Sequence, residues 1–110
     1  MCRKILILTH RPMTPEEIQQ TVESAVAEGF NHFICFAKSL TDLQIIDALK
    51  QLDGVGVELV CCEDNLELSP EMNEKLYQGC KEFCLLENVA KDKSNQMRYL
   101  RSKAQKVLEL

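Results

Sequence analysis

Four short apolar runs, each followed by a stretch of helical periodicity and three of them by a helix-start signal, restrict what this chain can fold into. The first run, Ile5-Leu6-Ile7-Leu8 within residues 3–9, is continuous rather than alternating, as in a strand covered on both faces. Thr14-Pro15-Glu16-Glu17 then supplies a cap, a proline suited to the first helical position and a glutamate that closes a capping box. Ile18, Val22, Ala25 and Val26 recur at helical spacing, and Gly29 fits the stop. The second run, Phe33-Ile34-Cys35-Phe36 within 32–37, precedes Thr41-x-x-Gln44, which repeats the capping-box pattern ahead of Leu43, Ile45, Ile46, Leu49 and Leu52.

The cycle continues. Residues 55–62 give a third strand, and Ser69-Pro70-Glu71 opens a third helix with Met72, Leu76 and Cys80 expected inward. Residues 83–86 give a fourth strand, and 91–106 a fourth helix carrying Met97, Leu100 and Ala104 on one side. Residues 107–110 read as a short fifth strand or a helix tail, with the strand favoured. Strands alternating with helices mean βαβ units with right-handed crossovers. The expected fold is therefore α/β: a three-layer Rossmann-like sandwich, with a mostly parallel sheet of four or five strands and helices on both faces. At 110 residues, without linker, repeat or low-complexity tract, the chain reads as one domain over 1–110.

Composition excludes several classes. Hydrophobic residues make up 45 % and charged residues 27 %, which argues against disorder. No stretch approaches 18 apolar residues, and no secretory signal precedes the first strand, so a cytoplasmic protein with no membrane partner is expected. The six cysteines lie mostly inside apolar runs and are expected to be reduced, packing as small hydrophobes. A sulfur metal site built from Cys61-Cys62 and Cys80-x-x-x-Cys84 is disfavoured, because adjacent strand residues point to opposite faces. Glu63-Asp64 reads as a charged loop rather than a cation site. No metal or cofactor is expected; Gly54-Val55-Gly56 precedes a strand instead of following one and reads as a turn.

In open parallel sheets, ligands bind beyond the carboxyl ends of the strands. His10, Arg11 and Lys38 follow the first two strands there and are candidates for a small cationic cluster, aided by two helix N-termini. Asp42, at the second helix start, is a candidate ligand contact or simply a capping carboxylate. Ser39, Thr41 and the cysteines have no histidine or aspartate companion at a recognisable catalytic spacing, so the reading favours binding over turnover. Residues 91–110 carry net charge +4 on a body of net charge −8. Arg98, Arg101 and Lys103 are accordingly candidate contacts to nucleic acid or to an acidic partner.

The order of these motifs resembles the YpsA-like branch of the SLOG superfamily, the Rossmann-like group that includes the DprA DNA-processing proteins and the Lonely Guy phosphoribohydrolases. Thr9-His10-Arg11-Pro12 is similar to the branch's T-G-H-R-P opening. Glu28-Gly29-Phe30 and Phe33-Ile34-Cys35 follow in order, and the run from Phe36 to Asp42 stands where the branch has G-M-A-x-G-x-D. Gln96-Met97-Arg98-Tyr99-Leu100 stands at its R-N-R-Y-M. His10, Arg11, Asp42 and Arg98 are retained, while Thr9, Phe36 and Leu40 occupy glycine positions.

The resemblance implies a nucleotide-type ligand. The lost glycines imply that this pocket is eroded, with the Phe36 ring and the Leu40 side chain placed where a phosphate would approach bare backbone. Relatives continue through another strand beyond the position of Leu110, so an open sheet edge suited to a homodimer is expected. The leading expectation is a non-catalytic binding protein that meets a protein partner or itself, for instance as a mobile-element antagonist of a larger cellular system. The alternatives are a sensor of a nucleotide-derived ligand and, less favoured, nucleic-acid binding through the last helix.

Overall fold

A computed structural model describes residues 2–110. The elements are β1 (Lys4–Leu8), α1 (Pro15–Ala27), β2 (His32–Cys35), α2 (Leu40–Lys50), β3 (Gly56–Cys61), α3 (Pro70–Gln78), β4 (Glu82–Leu85), a 3₁₀ turn (Leu86–Asn88), α4 (Lys93–Lys103) and β5 (Lys106–Glu109). The sheet has the order β4-β3-β2-β1-β5, and every neighbouring pair is parallel. The fold is thus a Rossmann-like three-layer α/β sandwich.

The topology explains the layering. From β1 to β4 each crossover steps the same way across the sheet, so right-handed connections place α1, α2 and α3 on one face. The last step returns past β1, so α4 lies on the other. Two cores result. The first joins Ile5, Ile7, Phe33, Cys35, Val57 and Leu59 to Ile18, Val22, Ile45, Ile46, Leu49 and Leu76 of the three helices. The second joins Leu6, Leu8, Ile34, Phe36, Val60 and Cys84 to Leu100, the buried residue of α4.

Several boundaries differ from the sequence reading. The cap of α2 is Ser39, with Asp42 closing its box, rather than Thr41 with Gln44. Thr41 is buried inside the first turn instead. Met72 is half exposed, and α3 contributes only Leu76 to the buried core. The fourth helix is shorter than expected: Asp92 caps it, and Lys106 already belongs to β5. Gly29 does stop α1, at φ +99, a backbone conformation open to glycine at little cost.

Candidate functional site

At the carboxyl ends of β1 and β2 lies an open cleft of about 440 Å³, lined by Thr9, His10, Arg11, Pro12, Ser39, Leu40 and Thr41. Phe36 is not part of it. Its ring is buried in the second core, beneath the Lys38 ammonium at 4.5 Å from the ring centroid. The expectation that Phe36 plugs the phosphate position is therefore corrected: at the end of β2 the side chain alternates onto the α4 face. Leu40 does stand at the cleft, and it is largely exposed.

The polar groups beside the cleft converge on Asp42. This buried carboxylate accepts the Lys38 N–H at 2.9 Å and the Ser39 N–H at 3.2 Å on Oδ2, and the Thr9 hydroxyl at 2.6 Å on Oδ1. Ser39 Oγ accepts the Asp42 N–H in return. The amide donors that a phosphate would use at this helix start are thus bound to the chain's own carboxylate. Helix α1 is treated alike. Glu17 Oε1 accepts the Thr14 N–H, and Thr14 Oγ1 accepts the Glu17 N–H. The Thr14 amide, then Arg11, holds the Glu17 carboxyl below its ordinary value.

The proposed cations are dispersed. Arg11 lies 3.0 Å from Glu17 Oε2. Lys38 turns toward Asp64, which also holds Lys93 at 3.0 Å. His10 alone faces the cleft without such an ion pair among the described residues. On α4, Arg98 stays on the outer side beside Lys93 and Met97, while Arg101 pairs with Glu109 at 3.0 Å. Lys103 points at the sheet instead of outward: its Nζ lies 2.5 Å from Glu58 Oε2.

That last contact marks a cluster at the opposite, amino end of the sheet, absent from the sequence reading. His32, Glu58 and Glu82 project onto the α4 face from the three adjacent strands β2, β3 and β4. Glu58 and Glu82 are register partners. His32 Nε2 is 3.2 Å from Glu58 Oε1 and 3.7 Å from Glu82 Oε2, and the three ligand-type atoms lie within 4.8 Å of one another. Glu58 is 1 % exposed. Burial pushes its carboxyl up, but the hydrogen bonds from Lys103 and His32 outweigh burial and hold it below the ordinary value. The signal available in sequence was the lone glutamate inside Val57-Glu58-Leu59-Val60, a charge in a run that must be covered on both sides.

No family model, curated protein or solved structure matches this chain. The Rossmann-like parallel fold stands on the sheet itself. No helix among the described residues is long and apolar enough to cross a membrane. The cysteines are all free thiols, and Cys35 and Cys84 sit in the first and second cores respectively. Burial, aided by the nearby Asp42 carboxylate, pushes the Cys35 thiol far up and keeps it an inert packing group.

A second surface feature lies at the β4 edge. Phe83 and Leu85 point to the α3 face, next to Leu59 and Cys61, yet they are 48 % and 53 % exposed. Tyr77 of α3 packs on Phe83 with ring centroids 5.4 Å apart. Among the described residues, the outer side of β4 carries no neighbouring strand.

Proposed function

We propose that this protein is a non-catalytic SLOG/YpsA-type binding protein whose nucleotide site is closed and which acts through a protein partner. The observation that carries the reading is Asp42, whose carboxylate takes the Lys38 and Ser39 amides and the Thr9 hydroxyl. An incoming phosphate would have to displace a buried, hydrogen-bonded anion, and the chain supplies no glycine there to open other backbone donors. Protein contact is supported by the exposed trio Tyr77, Phe83 and Leu85 beside the unpaired edge of β4. Such an edge accepts a strand from another chain, and apolar side chains beside it add affinity.

Thermal melts across a panel of nucleotides, dinucleotides and ADP-ribose-type compounds are expected to be flat, and light scattering together with pull-down is expected to reveal a dimer or a protein complex. Phe83→Lys should abolish that association while leaving the melting temperature of the free chain nearly unchanged, since the ring is half in solvent. A nucleotide that raises the melting temperature in the parent and not in Arg11→Ala would replace this reading with ligand sensing at the His10–Arg11 cleft. A strict monomer without a protein partner would end it.

A further inference from the structure

We propose that His32, Glu58 and Glu82 form a binding site for one divalent transition metal of the zinc class, with Lys103 as its outer support. The argument begins with charge. Glu58 and Glu82 are lateral partners on one sheet face, an arrangement that like charges disfavour. Lys103 compensates for only one of the two, through Glu58 Oε2. The remaining oxygens, Glu58 Oε1 and Glu82 Oε2, converge on His32 Nε2. A single imidazole nitrogen has one proton to donate, and the 3.7 Å approach to Glu82 is too long for a hydrogen bond. A metal ion satisfies all three atoms at once.

The spacing suits it. Ligand atoms about 2.0–2.2 Å from a shared tetrahedral ion stand roughly 3.3–3.6 Å apart, close to the 3.2 and 3.7 Å separations at His32. One imidazole and two carboxylates form a mixed N/O set of the kind zinc and its neighbours accept, leaving a fourth position for water. Lys103 fixes the outer oxygen of Glu58, as second-shell partners fix metal ligands. Access runs through Glu82, which is 55 % exposed, whereas His32 and Glu58 are buried. One ligand comes from each of three neighbouring strands, so the site suits an ion that ties β2, β3 and β4 together.

Cobalt(II) titration of the reduced, full-length chain tests this, because the metal reports its own ligands. The expected result is a saturable visible spectrum of four-coordinate cobalt at one equivalent, without thiolate charge-transfer absorption and displaced by zinc. His32→Ala should abolish it. Glu82→Gln, at an exposed position that leaves the fold intact by circular dichroism, should weaken binding by at least about tenfold. Absence of saturable binding overturns the proposal. So does a thiolate charge-transfer band, which would assign the ion to the cysteines, and so does binding unchanged in Glu82→Gln.

Discussion

Asp42 illustrates how a residue type can be legible while its task is not. Its place near a helix start was readable from the sequence. The partners that make it an internal anion come from Thr9, a whole βα unit away, and from the register of β1 against β2. Asp42→Ala would leave the Thr9 hydroxyl and two amides without their acceptor. The expected loss is roughly 2–4 kcal/mol, read by urea unfolding, since each stranded group costs about 1–3 kcal/mol and the costs overlap. Glu17 gives a pH-dependent counterpart on the surface. Its folded pKa is lowered by the Thr14 amide and then by Arg11, so its contribution is present above the unfolded value of about 4.3 and is lost as the pH falls through the folded value. Glu17→Gln should therefore be less stable than the parent at pH 7, and in urea melts the two chains should converge as the pH falls through and below the folded value.

The elements were legible where their signals were local. The first four strands and the four helices lie within a few residues of where apolar runs and helical periodicity placed them, because a continuous run in a parallel sheet and the Pro-led caps of α1 and α3 need no distant information. The errors fall where two local signals competed. Ser39-x-x-Asp42 and Thr41-x-x-Gln44 both read as capping boxes; the earlier one wins because its aspartate also serves the end of β1. Met72 sits in an apolar pattern, yet α3 flanks an outer strand and has less sheet to cover. The division of helices, three on one face and one on the other, gives α4 an unusual weight. Leu100 is its buried anchor, and Leu100→Ala should cost about 2–5 kcal/mol. It should also increase binding of a hydrophobic dye, because among the described residues α4 and the short 3₁₀ turn carrying Leu86 are the helical cover of the second core.

At the scale of the whole molecule, sequence reasoning named candidates at the carboxyl end of the sheet but not the charged cluster at the other end. His32, Glu58 and Glu82 are each one βα unit apart, and only the pairing of β2, β3 and β4 brings them onto one patch. Register is a tertiary property, so single-residue patterns could flag Glu58 without naming its partners. The same limit applies to the β4 edge. Phe83 and Leu85 read only as part of a strand, and they are left half in solvent because β4 stands at the end of the sheet.

The single helix over the second core also sets the order in which the native state opens. Detaching α4 requires freeing Leu100, Met97, the Gln96 side-chain hydrogen bonds and the Lys103–Glu58 pair, whereas the opposite layer has three helices sharing one larger core. Amide protons of α4 and β5 should therefore exchange with deuterium well ahead of those in β1 and β2, as one cooperative group. Mass spectrometry of timed exchange would resolve two classes of protection, with the boundary between the layers; uniform protection across the chain would show that the two layers open only together.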